Sequence, residues 1–178
     1  SDGAIRGGLG HMQVMETKAL QDQEDASLQL TLPDGEALAA RLRALTQVAE
    51  VLPRIQFMGL LTNGTRSVAY IGTAVDPARE PAYMAVNDHI RDAQGLPGGA
   101  GSRWLSPAPG AREALLGPGL AKRLGATLGS TLTLMATTKD GALNAVDVTV
   151  VGLLDQGVKD LNDRALVTSL DTAENLLE

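Results

Sequence analysis

The clearest pattern of hydrophobic and polar positions lies between Ala114 and Leu170. Four leucines at helical spacing, with Gly125 where a helix would stop, predict one short helix: they are Leu115, Leu116, Leu120 and Leu124. Apolar residues then alternate with threonines and other small residues in three runs, which predict strands at 128–134, 147–154 and 164–170. Lys139-Asp140-Gly141 predicts the turn of a long hairpin between the first two strands.

The first part of the chain predicts the order β-α-β-β over residues 11–73. Met12 and Val14 alternate with Gln13 as in a strand, and Asp34 is placed to cap a helix. That helix has a predicted buried stripe at helical spacing, formed by Leu38, Leu42 and Leu45. A strand is predicted at 50–61, and a return strand at 66–73 follows a tight Asn63-Gly64 turn whose central residues need positive φ.

The connections are predicted from their composition. Residues 18–27 are polar and predict a loop, and residues 76–81 predict a turn into a short helix over 82–91. Residues 95–110 contain five Gly and three Pro around Trp104, which predicts a mobile loop. Asp171 is predicted to cap a final helix at 172–178, and we expect the native polypeptide to continue beyond it.

Composition excludes several classes of function. The chain has 178 residues, of which 44% are hydrophobic and 20% charged, so a packed core is expected. Its net charge of −6 argues against nucleic acid, whose phosphates need clustered Lys and Arg. The absence of Cys excludes disulfides and thiolate metal sites. No apolar run approaches the roughly 20 residues of a membrane span.

The sequence offers only weak evidence for catalytic or metal-binding groups. Gly117-Pro118-Gly119 with Lys122 resembles a phosphate-binding loop, but Pro118 removes an amide donor, and a kinked helix start is the preferred interpretation. His11 and His89 lack converging ligands. The acidic residues near Asp22 and Asp160 lack the pattern of a calcium loop. We therefore expect no catalytic residue, no cofactor and no metal, and an enzyme that uses the glycine loop is the least favoured hypothesis.

Several motifs together resemble a known family. The first motif, within residues 114–134, is Leu-Leu-Gly-x-x-Leu-Ala-x-x-Leu-Gly-x-x-x-Gly-x-x-Leu-x-Leu. The second is Val-x-Val-Val-Gly-Leu-Leu, which ends at 154, and the third is Arg-Ala-Leu-Val-x-Ser-Leu-x-Thr-Ala, which spans 164–173. Upstream, residues 10–14, 72–77 and 101–105 extend the likeness. The set resembles the extracytoplasmic core domain of FtsX-like ABC-transporter permeases, a superfamily that includes the MacB exporters and the LolC/LolE lipoprotein-releasing subunits.

That resemblance implies an α+β fold with a split porter-like βαβ subdomain and an inserted Sabre-like mixed α/β subdomain. The porter-like part would be 10–62 plus 164–178 without its last strand, the insertion would be 66–160, and 1–9 would be a juxtamembrane stub or tag. The parent protein would lie in the cell inner membrane with this domain on its periplasmic side. Implied partners are a cytoplasmic ATPase, a second permease copy or paralogue, and a periplasmic lipoprotein or chaperone.

We place partner contact on two predicted loops, because binding groups usually lie on exposed loops held by a scaffold. The first is the hairpin tip, which comprises Thr138, Lys139, Asp140, Gly141, Ala142, Leu143 and Asn144. The second is Trp104, which either anchors a partner or fixes its own loop to the core. Lipoprotein-releasing members carry a longer, Pro-containing loop at the hairpin, so this short tip argues against a chaperone. The favoured function is a transporter part, and the alternative is a sensing or scaffolding module that binds a peptide or sister domain.

Overall fold

The computed structural model describes residues 12–15, 34–83, 89–91 and 101–178. Within these ranges the strands are β1 (Ile55–Thr62), β2 (Ser67–Val75), β3 (Ile90–Arg91), β4 (Glu113–Leu116), β5 (Thr131–Thr137), β6 (Leu143–Leu154) and β7 (Ala165–Ser169). The helices are α1 (Gly35–Arg43), α2 (Glu80–Tyr83), α3 (Pro118–Leu124), α4 (Lys159–Asn162) and α5 (Leu170–Leu177).

Six of these strands close into a ring in the order β1-β2-β7-β4-β6-β5, because β5 pairs with both β6 and β1. The β2–β7 and β4–β6 pairs are parallel, and the other four pairs of the ring are antiparallel. The short β3 adds to the end of β6. Each strand of the ring therefore has hydrogen-bonded neighbours on both sides, as in a barrel.

The main core fills this ring. Alternate residues of the strands point inward, which is the period of two that β-structure imposes; examples are Phe57, Tyr70, Leu116, Leu134, Val148 and Leu166. The Phe57 and Tyr70 rings meet edge to face with centroids 5.8 Å apart. The helices α3 and α5 contribute apolar side chains to the same core. The strands and two helices thus form one packed body.

A smaller apolar cluster lies outside the ring and includes Leu115, Val151 and Val167. Its strand members face away from the main core by the ordinary alternation of side chains, so the adjacent Val150 and Val151 belong to the main core and the outer cluster respectively. The β4–β6 register shifts between Ala114 and Leu115, and this bulge makes Leu153, rather than Gly152, the next residue of β6 in the main core.

The loops alternate between two ends of the barrel. The hairpin end holds the β5–β6 turn, the start of α2 after β2, and the start of α5 after β7. The α3 end holds the β1–β2 turn, α3 with the segment that follows it, and α4.

Several expectations from the sequence agree with these elements. The three strands predicted after the short helix correspond to β5, β6 and β7, and Lys139-Asp140-Gly141 does form the β5–β6 turn. Gly125 ends α3 with φ 64°, which is the left-handed conformation that favours glycine. The mixture of helices and a sheet agrees with the predicted α+β class.

The prediction that Leu115 and Leu116 begin a helix is wrong. Both lie in β4, with Leu115 in the outer cluster and Leu116 in the main core. The helix begins only at Pro118, which is favourable at this position because a helix leaves its first amides unbonded. A short apolar run fits a buried strand and a helix equally well, so the spacing of the leucines alone predicted the wrong element.

The predicted first helix exists as α1, but its details differ. Ala39 is its buried residue, Leu38 and Leu42 are partly buried, and Leu45 lies beyond its end and is half exposed. Asp34 precedes the helix with φ 54° and makes no side-chain cap. The expected fully buried leucine stripe is therefore wrong.

Three smaller predictions are also corrected. Met12 and Val14 are exposed and lie in no strand. The β1–β2 turn has positive φ at Gly64 but not at Asn63, whose Oδ1 instead accepts hydrogen bonds from the amides of Thr65 and Arg66. Ser169, rather than Asp171, caps α5 by accepting from the Thr172 amide at 3.2 Å.

Other predictions fall partly outside the described residues. The predicted helix over 82–91 overlaps α2 and β3, while 84–88 are not described. The stub at 1–9, the loop at 18–27 and residues 95–100 also lie outside the described part. The division into 10–62 plus 164–178 and 66–160 stays a prediction; strands from both ranges share the ring.

Candidate partner-binding surface

The β5–β6 hairpin tip is held by its own backbone. The Thr138 amide donates to the Ala142 carbonyl at 2.7 Å, and the Gly141 amide donates to the Thr138 carbonyl at 3.0 Å. The Thr138 hydroxyl accepts from the Ala142 amide at 3.2 Å, and this side chain is buried. Gly141 has φ 82°, which other residues rarely adopt. The tip is therefore a fixed turn, and Thr138 supports it from within.

The side chains beyond Thr138 are the ones a partner can reach. Lys139, Asp140 and Ala142 are exposed, and Leu143 is 67% exposed. Asn144 is partly buried, and its Nδ2 donates to the Asn175 carbonyl of α5 at 3.2 Å. The structure thus divides the predicted hairpin site into an exposed contact group at 139–143 and two supporting residues, Thr138 and Asn144.

Trp104 lies elsewhere on the barrel, against the outer apolar cluster. Its indole Nε1 donates to the Pro77 carbonyl at 3.0 Å. No hydrogen bond of the described residues joins Trp104 to the hairpin tip. Of the two interpretations of Trp104, this geometry supports the one in which the side chain fixes its own loop; contact with a partner stays a prediction.

The rest of the Trp104 loop is bound as well. The Arg103 amide donates to the Val151 carbonyl at 3.0 Å, and Arg103 Nη1 donates to Glu113 Oε2 at 2.9 Å. Glu113 Oε2 also accepts from the Ser106 amide at 2.8 Å. The hydrogen bond from Arg103 is the main cause that holds the pKa of Glu113 below its usual value. Within 101–113 the loop is irregular in conformation but attached at several points.

The glycine loop is filled by protein. A Cβ on Gly117 would lie 2.2 Å from the Asn162 carbonyl oxygen, and one on Gly119 would lie 1.9 Å from Asp163 Oδ1. The two glycines therefore let α3 approach the end of α4 closely. This packing role supports the helix-start interpretation over a phosphate site. Among the residues that the structure describes, no group of three or more His, Asp and Glu could hold a metal.

Sequence reasoning missed one buried ion pair at the hairpin end. Glu80 of α2 is 3% exposed and pairs with Arg54, which precedes β1. Its Oε2 is buried and has no hydrogen-bond partner among the described residues. Burial raises the pKa of Glu80 above its ordinary value, although Arg54 acts in the opposite direction. Nothing in the local sequence Asp76-Pro-Ala-Arg-Glu80 distinguishes a buried carboxylate from an exposed turn.

Sequence reasoning also missed the distribution of charge between the two ends. Among the described residues the α3 end carries more cations than carboxylates, and the helix α5, which begins at the other end, carries Asp171 and Glu174 and no cation. The charged residues are visible in the sequence, but only the strand topology shows that residues 66, 122–123 and 159–164 lie at one end.

These features define a class of protein: an α+β domain with exposed loops on a closed strand scaffold. No helix among the described residues is long and apolar enough to cross a membrane. The model of the MacB-like periplasmic core domain matches residues 2–178, and the chain belongs to that family. A domain of that family lies on the extracytoplasmic side of a membrane.

A solved structure supports the fold. The crystal structure of the periplasmic region of MacB from Actinobacillus actinomycetemcomitans is similar, with a TM-score of 0.51 and 14% sequence identity. The match covers 79% of this chain and 56% of that chain, so this chain spans little more than half of the solved region. Among curated protein sequences, none matches significantly.

Proposed function

We propose that this domain belongs to an ABC transporter permease and transmits ATP-driven conformational change from a cytoplasmic ATPase to an envelope substrate or partner. The family match over residues 2–178 carries the proposal. The permease would lie in the inner membrane, and it would act with a second copy or a paralogue.

The closed ring supports a relay role, because a packed barrel moves as one body. Each strand of the ring is held on both sides, and interiors packed to this degree transmit displacement rather than absorb it. The fixed hairpin tip at one end would carry that movement to a partner through Lys139, Asp140 and Leu143.

The short hairpin favours a MacB-type role over the release of lipoproteins to a chaperone. The tip from Thr138 to Ala142 is a tight turn without proline. Its own backbone hydrogen bonds close it, so the tip is short. A surface of this size offers a local contact and not an extended grip.

The relay is tested by distance measurements in the full-length transporter in lipid nanodiscs. The described domain contains no Cys, so Asp140→Cys and Arg66→Cys place spin labels at its two ends. We expect the distance within the domain to stay constant, and the distance between Asp140→Cys labels of two copies to change between the ATP-bound and vanadate-trapped states. Inter-copy distances that ignore the nucleotide would favour the sensing or scaffolding alternative.

The hairpin contact is tested by Lys139→Ala with Asp140→Ala in the full-length protein. The matched control is Arg41→Ala with Glu174→Ala, which removes the same charges from exposed positions outside the hairpin. We expect transport to fall only in the hairpin variant, with ATP hydrolysis and expression unchanged. Equal transport by both variants would remove the hairpin from the proposal.

A further inference from the structure

The loops of the α3 end lie against one another. Asn63 Nδ2 in the β1–β2 turn donates to the Leu124 carbonyl at 2.7 Å, which fixes this turn on the last residue of α3. The Gly117 amide donates to the Ala165 carbonyl at 2.9 Å, and Gly119 contacts Asp163. The β1–β2 turn, α3 and the α4–β7 connection therefore form one continuous surface.

Five exposed cations lie on this surface, which we call the cationic end. It comprises Arg66, Lys122, Arg123, Lys159 and Arg164. Asp163 lies among them: its Oδ2 is 2.7 Å from Lys159 Nζ, and Arg123 and Arg164 act on the same carboxylate. Arg66 and Lys122 form no ion pair in the described part of the chain. Asp160 adds a second carboxylate, and nearby Asp155, which accepts a hydrogen bond from Asn162 of α4, is paired with Arg91. With Arg91 and Asp155 included, six cations face three carboxylates, so the described residues of this end keep an excess of three positive charges.

That excess stands out because the whole chain has a net charge of −6. Like charges held close together repel, and a surface of this kind gains most from an oppositely charged partner. The negative end of the α3 helix dipole lies beside Lys122 and Arg123 and favours both, whereas Arg66, Lys159 and Arg164 lie outside α3 and are not explained by it.

Exposed apolar side chains accompany the cations. Val158 and Leu161, on either side of Lys159, are 52% and 45% exposed. Charged groups steer a partner and set its orientation, whereas buried apolar area supplies much of the affinity. A surface with both kinds of group fits a segment that presents carboxylates together with apolar side chains.

We propose that the cationic end binds an acidic, amphipathic segment of a partner protein. A lipid surface is the weaker match, because an anionic bilayer is flat and would also meet the repulsion of the remaining, strongly acidic chain. A peptide segment touches the cationic end alone. This contact is separate from the hairpin tip, which lies at the opposite end of the barrel.

The probe is a fluorescein-labelled 14-residue peptide with Glu and Leu on opposite faces of a helix, followed by fluorescence anisotropy with the full chain. A second peptide has Gln in place of each Glu. We expect the Glu peptide to bind at 50 mM NaCl, to lose at least tenfold in affinity at 500 mM NaCl, and to bind at least tenfold more tightly than the Gln peptide.

The variant is Arg66→Glu with Lys122→Glu, and the matched control is Arg41→Glu with Arg112→Glu, which changes the net charge equally at other exposed positions. We expect the dissociation constant to rise at least tenfold in the variant and less than twofold in the control. Val158→Ser with Leu161→Ser should weaken binding without changing its salt dependence. Circular dichroism confirms that each protein is folded.

Three results would overturn the proposal: no binding of the Glu peptide, equal losses in the variant and the control, or binding of phosphatidylglycerol vesicles in the absence of peptide binding. None of these results bears on movement of the domain with nucleotide, so the relay proposal is tested separately.

Discussion

At the scale of single residues, Glu80 and Trp104 show how the barrel is joined to the segments around it. Arg54 and Glu80 connect the start of β1 to α2. The Trp104 indole connects the loop that precedes β4 to Pro77. Both contacts involve the segment that leaves β2. They are contacts between parts of the chain distant in sequence, which local patterns do not reveal.

Glu80→Gln should change how stability depends on pH. Because the folded pKa of Glu80 is raised by burial, the folded state binds this proton more readily than the unfolded state at pH values above the ordinary 4.5. Wild-type stability should therefore rise, relative to Glu80→Gln, as the pH falls from 8 toward 4.5. Urea midpoints of both proteins across this range measure the difference. Parallel pH profiles would show that Glu80 is not perturbed.

Trp104→Phe and Trp104→Ala should separate the hydrogen bond from the packing. The Phe variant loses the bond to the Pro77 carbonyl and should cost about 1 kcal/mol. The Ala variant also loses contact with the outer apolar cluster and should cost about 3 kcal/mol. Urea denaturation gives both values. If the free energy of unfolding of both variants lies within about 0.5 kcal/mol of the wild-type value, Trp104 does not fix the loop.

At the scale of elements, the sequence predicted those whose signals are local. The period of two in β5 and β6 and the left-handed Gly125 needed no knowledge of distant residues. The failures lay where tertiary contacts decide. Leu115 is in a strand because β6 and β7 lie beside it. At the candidate site, exposure of the hairpin at 139–143 was predictable, whereas burial of Thr138 depends on its own folded turn.

Gly117→Ala should destabilise the contact between α3 and α4. The new Cβ would overlap the Asn162 backbone, which cannot move away by rotating a side chain, and overpacking of this kind costs about 1–3 kcal/mol. Gly35→Ala in α1 is the control, because no other part of the described chain lies within 4 Å of its Cβ position. We expect the control to be neutral or slightly stabilising in thermal unfolding. Equal melting temperatures for both variants would contradict the packing role of Gly117.

At the scale of the whole molecule, the ring places residues far apart in sequence in one cooperative unit. The β2–β7 pair joins residues about ninety positions apart, and the main core draws on six strands and two helices. The sequence indicated the strands but not the order in which they pair, because register depends on which faces become buried together.

The described domain should therefore unfold in a single transition. Trp104 reports on the outer cluster, and far-UV circular dichroism reports on the ring and its helices. Since both depend on β4, β6 and β7, the two urea curves should coincide. Separate midpoints would show that the outer cluster opens independently of the barrel.

The closed ring also limits the ways in which another molecule can recognise this domain. Many complexes form when an extended peptide lengthens an open sheet, a mode in which main-chain hydrogen bonds supply the affinity. Here the neighbours on either side of β1, β2, β4, β5, β6 and β7 already occupy much of that capacity. A binding molecule must instead read side chains and turns, so the domain's selectivity can evolve one surface substitution at a time without disturbing the barrel beneath.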